Sequence, residues 1–364
     1  MQFITDILVG TLTAYLAFTN FLAMQIMTIL EPEGVPSTPS ELISSSSPSF
    51  SNLPTEYRTG IPSILRDSAA YQQAAILTSN NEIVVATTED PLEALVNIYC
   101  TFTTSTHIRT TTGTGFFINN NGVILTNAHV AQFLLLEETD ALGDADCLIR
   151  TGNPAAPRYR AELLYIPPAW VKEHAAMIDA AAPTGTGERD YALLYVTERV
   201  DSEPLPASFP NLIANTELLP RTAKGTAVTA AGYPAESLLN GDMTSDLIPK
   251  SANTLLTELY TFGSNYADVI SIQGSAIGEH GSSGGPIVDE AGDVIGIITT
   301  RGDDELDGAG SLRAITLSHI NRTIEEETGY SFNQNITGNV AYRGQVFTDT
   351  MAPFLTRLLT AEVN

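Results

Sequence analysis

Through the middle of the chain, apolar residues gather in short Val/Ile/Leu runs interleaved with Gly and Thr, a pattern of strands and tight turns. Glu82-Ile83-Val84-Val85-Ala86 and Leu95-Val96-Asn97-Ile98-Tyr99-Cys100-Thr101-Phe102 read as strands, with Asp90-Pro91-Leu92-Glu93-Ala94 as a helical turn between them. Gly113-Thr114-Gly115-Phe116-Phe117-Ile118 and Val123-Ile124-Leu125-Thr126 flank the pair Asn121-Gly122, a strong short-range hairpin signal. This hairpin ends on Asn127-Ala128-His129-Val130. Tyr191-Ala192-Leu193-Leu194-Tyr195-Val196 reads as a buried strand, and Ile287-Val288 and Val294-Ile295-Gly296-Ile297-Ile298 as two more, joined by a polar turn at Gly292. Leu312-Arg313-Ala314-Ile315-Thr316 is a further strand, and the helix after it ends near Gly329. The pattern predicts an all-β folded region over 69–329 and a tail over 330–364, in which 351–359 is a short amphipathic helix packing on the folded region.

The first part of the chain differs. Residues 7–30 carry no charged side chain; as a helix at about 1.5 Å per residue they reach roughly 36 Å, enough for a bilayer core of about 30 Å. No Lys or Arg precedes them, as one would before the apolar region of a cleaved signal peptide, so residues 1–30 are expected to be a retained transmembrane anchor, with a cleaved signal or a buried helix as competitors. Residues 31–68 turn to Pro, Ser and Thr, including Ser44-Ser45-Ser46-Ser47-Pro48, and read as a flexible linker. The N-terminal position of the span puts the bulk of the chain outside the cytosol, periplasmic or at the cell surface, or secreted if the span is cleaved.

Composition narrows the partners. The 364 residues carry 42 acidic and 17 basic side chains, a net charge of -25, which repels nucleic acid and anionic lipid surfaces. Two cysteines, Cys100 and Cys147, can make one bridge or none. No metal-binding motif, dinucleotide fingerprint or phosphate-cradling loop is present, so neither metal nor cofactor is expected.

The candidate chemistry centres on Gly281-Ser282-Ser283-Gly284-Gly285-Pro286. A serine in a tight glycine turn at the entrance to a buried hairpin has a rigid base, no bulky neighbours and backbone N–H groups able to meet an oxyanion. A Gly/Ser surface loop is the plainer reading, because a serine hydroxyl is a poor nucleophile without a base and an orienting carboxylate. His129, fixed at the end of a strand, can supply the base. Asp190, at the mouth of the strand 191–196, can supply a partly desolvated carboxylate that must be hydrogen-bonded to stay charged. His107, His174 and His319 fit surface or packing roles, while His280 is near enough to Ser283 to border a substrate site.

The order His129, Asp190, Ser283, carried by Thr126-Asn127-Ala128-His129-Val130, Asp190-Tyr191-Ala192-Leu193-Leu194 and the glycine turn, resembles the trypsin/chymotrypsin-fold serine proteases, nearest in style to their HtrA-like branch. The resemblance covers 82–328. It implies two six-stranded antiparallel Greek-key barrels and a serine endopeptidase acting on polypeptides through an acyl-enzyme. Ser283 is then the nucleophile, His129 the base and Asp190 its orienting partner, with the N–H groups of Gly281 and Ser283 as oxyanion hole. Thr299 supports the aspartate and lines the cleft, and Thr300 and Arg301 pair with substrate backbone as an added strand.

Two departures from the family pattern stand out. Ser282 occupies the place where many relatives carry an aspartate that captures a new N-terminus, and the residues after Gly329 are too few for the peptide-binding (PDZ) domain of HtrA proteins. Ile277 matches a position at the base of the specificity pocket and suggests an apolar P1 residue; Arg313, if it faces the same pocket, favours an acidic one. In such a fold Cys100 and Cys147 lie on neighbouring strands, so a disulfide is feasible and two free thiols are the alternative. The rival function is a catalytically idle protease fold serving as a peptide-binding or chaperone-like module. An α/β-hydrolase esterase is excluded because strands follow Ser283 and the histidine comes first.

Overall fold

The computed structural model describes residues 87–103, 108–137, 144–179, 187–235, 246–263 and 265–362. The expected span at 7–30, the linker and the strand at 82–86 lie outside these residues. Among the described residues no helix is long and apolar enough to cross a membrane.

A short helix, α1 (Pro91–Ala94), opens the folded part, with Pro91 in its first turn and the Asp90 carboxylate accepting the Leu92 N–H at 2.9 Å. Six strands follow in the first barrel: β1 (Leu95–Thr103), β2 (Ile108–Asn119), β3 (Val123–Thr126), β4 (Asp144–Thr151), β5 (Ala156–Tyr165) and β6 (Ala192–Arg199). They close antiparallel in the order β1-β2-β3-β6-β5-β4. The β2–β3 turn is the expected one, with Gly122 at φ +85°. Cys100 and Cys147 stand directly opposite each other on β1 and β4, Cα atoms 4.0 Å apart, and are joined by a disulfide.

The second half contains β7 (Ile213–Ala214), β8 (Ala227–Gly232), β9 (Lys250–Tyr260), β10 (Val269–Ile272), β11 (Pro286–Val288), β12 (Asp293–Arg301) and β13 (Leu312–Thr316). Here β11-β8-β9-β10-β13-β12 form a second barrel, closed by antiparallel pairing of β11 with β12. The short β7 adds to β12 in parallel, an extra strand beyond the six expected.

Side-chain alternation explains why these strands read as continuous apolar runs. On β1, Val96, Ile98, Cys100 and Phe102 fill the first barrel while Leu95 packs in a second core between the barrels. On β6, Ala192, Leu194 and Val196 point one way and Leu193 and Tyr195 the other. That inter-barrel core also takes Tyr233, Val288 and Ile297 from the second half. A third core, with Ile270, Ile287, Ile298 and Leu312, fills the second barrel. Strands buried on both faces lose the polar half of the usual alternation.

Helices cover what the barrels leave open. After β3 come α2 (Ala128–Ala131) and a 3-10 turn, Gln132–Leu136. Between β5 and β6 lie α3 (Pro168–His174) and a second 3-10 turn, Ala175–Asp179. The turn Asp304–Asp307 (α4) separates β12 from β13. Then follow α5 (Leu317–Thr328), which stops at Gly329 with φ +78°, α6 (Phe332–Ile336), α7 (Val340–Thr350) and α8 (Ala352–Glu362). The tail is thus three helices where the sequence pattern suggested one. Phe347, Leu355 and Leu359 enter the first barrel's core beside Trp170, Ile178 and Leu135, and the Thr356 hydroxyl donates to the Leu135 carbonyl at 2.9 Å. Buried Arg343 donates to the carbonyls of Asn335 (3.0 Å), Gln334 (2.7 Å) and Thr337, satisfying the open end of α6.

This docking carries a stability prediction. Leu355 is fully buried, and Leu355→Ala should cost roughly 2–5 kcal/mol in urea unfolding. A loss below about 0.5 kcal/mol, as for an ordinary surface substitution, would show that the tail is not part of the core.

Candidate active site

The three residues singled out from the sequence lie where the two barrels meet. β3 carries the chain to Asn127, whose side chain does not cap α2; its Nδ2 donates instead to the Asp190 carbonyl at 2.8 Å and to Thr299 Oγ1 at 3.2 Å. One helical turn begins there and fixes His129, only 4% exposed. Asp190 is fully buried, and its carboxylate meets His129 twice: Oδ2 lies 2.8 Å from Nδ1, and Oδ1 accepts the backbone N–H at 2.9 Å. Two bonds to one residue fix the imidazole against the carboxylate in position and in rotation. They also give a buried charge the donors it needs.

The approach to Asp190 is strained. Arg189 has φ 61°, a left-handed conformation unfavourable for a side chain bearing Cβ by roughly 1–2 kcal/mol. Helix α5 holds it: Glu327 takes the Arg189 Nε–H at 2.8 Å and the Tyr165 hydroxyl, while the Tyr191 hydroxyl is 3.0 Å from Thr323 Oγ1. Burial pushes the Tyr191 phenol far above its ordinary value, so the hydroxyl stays protonated in this contact.

Ser283 is presented by the glycine turn between the barrels. Gly281 and Gly284 have φ +96° and +88°, and a Cβ at Gly284 would fall 1.9 Å from the Thr114 carbonyl oxygen. Close packing therefore requires glycine there, beyond any need for flexibility. Thr114 is the fastener. Its N–H donates to the Ser283 carbonyl at 2.8 Å, and its hydroxyl donates to the Gly281 carbonyl at 2.6 Å while accepting the Tyr233 N–H at 2.9 Å. Ser282 is fully buried and donates to the Ile277 carbonyl at 2.6 Å, a contact inside its own loop. No described residue accepts the backbone N–H of Gly281 or of Ser283.

The half-buried Ser283 hydroxyl lies 3.5 Å from the Thr299 carbonyl, at the limit of a hydrogen bond, and makes none with His129 among the described residues. Thr299 is buried, its hydroxyl accepting from Asn127 and donating to the Ile297 carbonyl at 3.2 Å. No group of His, Cys, Asp or Glu side chains suited to a metal ion occurs among the described residues.

Next to the Asp190 loop is a cavity of about 300 Å³ whose lining includes Gly187, Tyr260, Phe262, Val269, Thr299, Thr300, Arg313 and Ile315. Ile277 is not in its lining. Its side chain is fully buried in the interior of the second barrel, because the 273–281 loop turns it inward. His280 is exposed, its carbonyl accepting the Ala235 N–H, and the exposed Arg301 pairs with Asp304 at 3.5 Å. Thr114 and Tyr233 were not named as site residues from the sequence; Thr114 is one of four threonines on β2.

Behind the cavity wall, the Phe262 ring lies 5.1 Å from that of His319, whose Nδ1 is 3.1 Å from buried Asp268. Asp268 also receives Arg322, the Thr261 hydroxyl at 3.0 Å and the Phe262 N–H at 2.8 Å. Burial holds His319 below its ordinary value, a shift that outweighs the pull of Asp268. The unfolded chain, titrating near pH ~6.5, therefore binds a proton there more readily than the native one. The native state's advantage is complete above that pH and is lost as pH falls below it through the lower native value. His319→Gln should flatten the decline of Tm between about pH 7.5 and 5 relative to wild type; an unchanged slope would mean that His319 titrates alike in both states.

In comparison with known proteins, the trypsin-like peptidase domain family matches residues 113–297. No curated protein matches the chain. Among solved structures, the active form of the Rv3671c protease from M. tuberculosis is similar at 17% identity and TM-score 0.40, covering 81% of this chain and 94% of that one. An inactive form of the Rv3671c protease is similar at 19% identity and TM-score 0.39, covering 66% and 91%.

Proposed function

The chain belongs to the trypsin-like peptidase family and is a serine protease, and we propose that it is an endopeptidase working through His129, Asp190 and Ser283 and an acyl-enzyme intermediate. The observation that carries this reading is the doubly bonded His129–Asp190 pair beside a glycine turn whose Gly281 and Ser283 N–H groups have no described acceptor.

Each part supplies a step. Ser283 Oγ adds to the scissile carbonyl as its proton passes to His129 Nε2. Asp190 fixes Nδ1 as the protonated nitrogen and stabilises the imidazolium. The two free N–H groups receive the oxyanion. Collapse expels the amine, which takes the proton back from His129, and water then cleaves the acyl-enzyme by the same route. In the resting arrangement the hydroxyl leans on the Thr299 carbonyl. A substrate strand along Thr299–Arg301 donates its own N–H to that carbonyl and releases the hydroxyl to turn to His129. The edge is open for such a strand: β12 pairs with β13 on one side there, and β11 reaches only to Ile297 on the other. The Cys100–Cys147 bridge favours an oxidising compartment outside the cytosol, and the 7–30 span favours a membrane tether.

The first test is covalent labelling of the purified chain with a fluorophosphonate, with the adduct located by mass. Label is expected on Ser283, absent in Ser283→Ala and sharply reduced in His129→Ala. A folded protein that takes up no label would instead be an idle binding module. Asp190→Asn, which keeps the shape but favours the wrong imidazole tautomer, should lower kcat by about 10⁴ on any cleaved peptide. A loss of less than about tenfold would remove Asp190 from the mechanism.

A further inference from the structure

Among the arginines around the cleft, Arg313 is the exception. Arg189 is paired with Glu327, Arg301 with Asp304 and Arg322 with Asp268. Arg313 has no ion pair among the described residues, and its Nε is buried without a hydrogen-bond partner. Glu258, in the same cross-strand row through Ser271, is occupied by Lys224. In a chain with 42 acidic residues, a half-buried guanidinium left without a carboxylate is a local choice against the global charge. A buried donor without an acceptor is costly until something supplies one.

Its position says what would. Arg313 stands opposite Thr300 on the β12 edge, and its guanidinium lies 5.2 Å from the Tyr260 ring in the wall of the 300 Å³ cavity. Tyr260 and Phe262 are 37% and 40% exposed, unusually open for aromatic residues, and Val269 and Ile315 line the interior. The walls thus suit a short hydrocarbon stem, and the one charge suits a carboxylate at its tip. None of residues 277–283, which surround the attacked carbonyl, lines the cavity. Thr299 and Thr300, which do line it, form the edge on which the proposed substrate strand lies, and on that reading a side chain entering the cavity belongs to a residue N-terminal to the bond cut. Period-two alternation along an added strand brings such a side chain to this face.

We infer that this protease selects substrates with an acidic side chain within the three residues preceding the P1 residue, and that Arg313 reads it. The inference rests on the endopeptidase reading above and assigns it a substrate class. Long-range repulsion from the net charge of -25 works against acidic peptides, so a preference for them has to come from this local contact.

The test is a set of peptides differing only by Glu, Gln or Lys at each of those three positions, cleaved by the full chain and by Arg313→Gln and Arg313→Lys. Active sites are counted by fluorophosphonate titration, so that only folded enzyme enters the rates. At one position wild type should favour Glu over Gln in kcat/KM by about ten- to a hundredfold, the range of a charge-assisted hydrogen bond. The Glu/Gln ratio should fall to near one in Arg313→Gln and be partly kept in Arg313→Lys. Labelled wild-type enzyme with equal rates on Glu and Gln at all three positions, or a ratio that survives Arg313→Gln, overturns this inference alone. Absence of both labelling and cleavage overturns the endopeptidase reading, and this inference with it.

Discussion

Ser283 and His129, the proposed nucleophile and base, are carried by different barrels, so the proposed site exists only as far as the two are held in register. Thr114 of β2 does this with one backbone and two side-chain hydrogen bonds: to the Ser283 carbonyl, to the Gly281 carbonyl and from the Tyr233 N–H. Its own carbonyl is taken by the Thr126 hydroxyl at 2.7 Å, three residues before His129. The fastening therefore runs from the strand bearing the base, through Thr114, into the turn bearing the nucleophile. It also takes the Gly281 and Ser283 carbonyls, while no described residue accepts the backbone N–H of either. A turn whose acceptors are tied and whose donors are free is already polarised for an anion.

Burial grades across the site in the order the proposed chemistry needs. Asp190 is fully enclosed, His129 is 4% exposed and Ser283 half-buried. An enclosed carboxylate is tolerable only with donors, and His129 provides two of them. The strain at Arg189 is the cost of turning the chain sharply enough to place that carboxylate before β6 begins. α5 offsets it through Glu327 and Thr323, so a helix far from Asp190 in sequence contributes to that residue's position.

Much of this could be read from the residues. Asn121-Gly122 marked the hairpin that delivers His129, the apolar run 191–196 marked the strand behind Asp190, and the glycine turn marked Ser283. The placement of Cys100 against Cys147 followed from the fold resemblance, since strand register is not visible in either segment alone. What stayed hidden had specific causes. Gly344 in the middle of α7 is a poor helix former, and it is there because a Cβ would fall 2.1 Å from the Tyr195 ring on β6. That close approach masked a helix whose stability comes from docking. The fastening role of Thr114 was not legible because β2 carries four threonines and nothing in the sequence separates this one; its role arises only from the partners the second barrel brings. Ile277 is placed by a loop whose course the sequence does not determine.

The docked tail bears on the site as well as on stability. Phe347, Leu355 and Leu359 close the first barrel on the side of α3 and the 132–136 turn, and that turn follows His129 directly. Gln132, fully buried within it, donates to the His129 carbonyl at 3.0 Å. The helices that cover this apolar turn thus also hold the short helical segment that fixes the base. Core packing on the far side of the barrel and the two hydrogen bonds to Asp190 constrain His129 from opposite directions. A histidine held in this way keeps Nδ1 committed to the buried Asp190 and leaves Nε2 for the proton transfer proposed above.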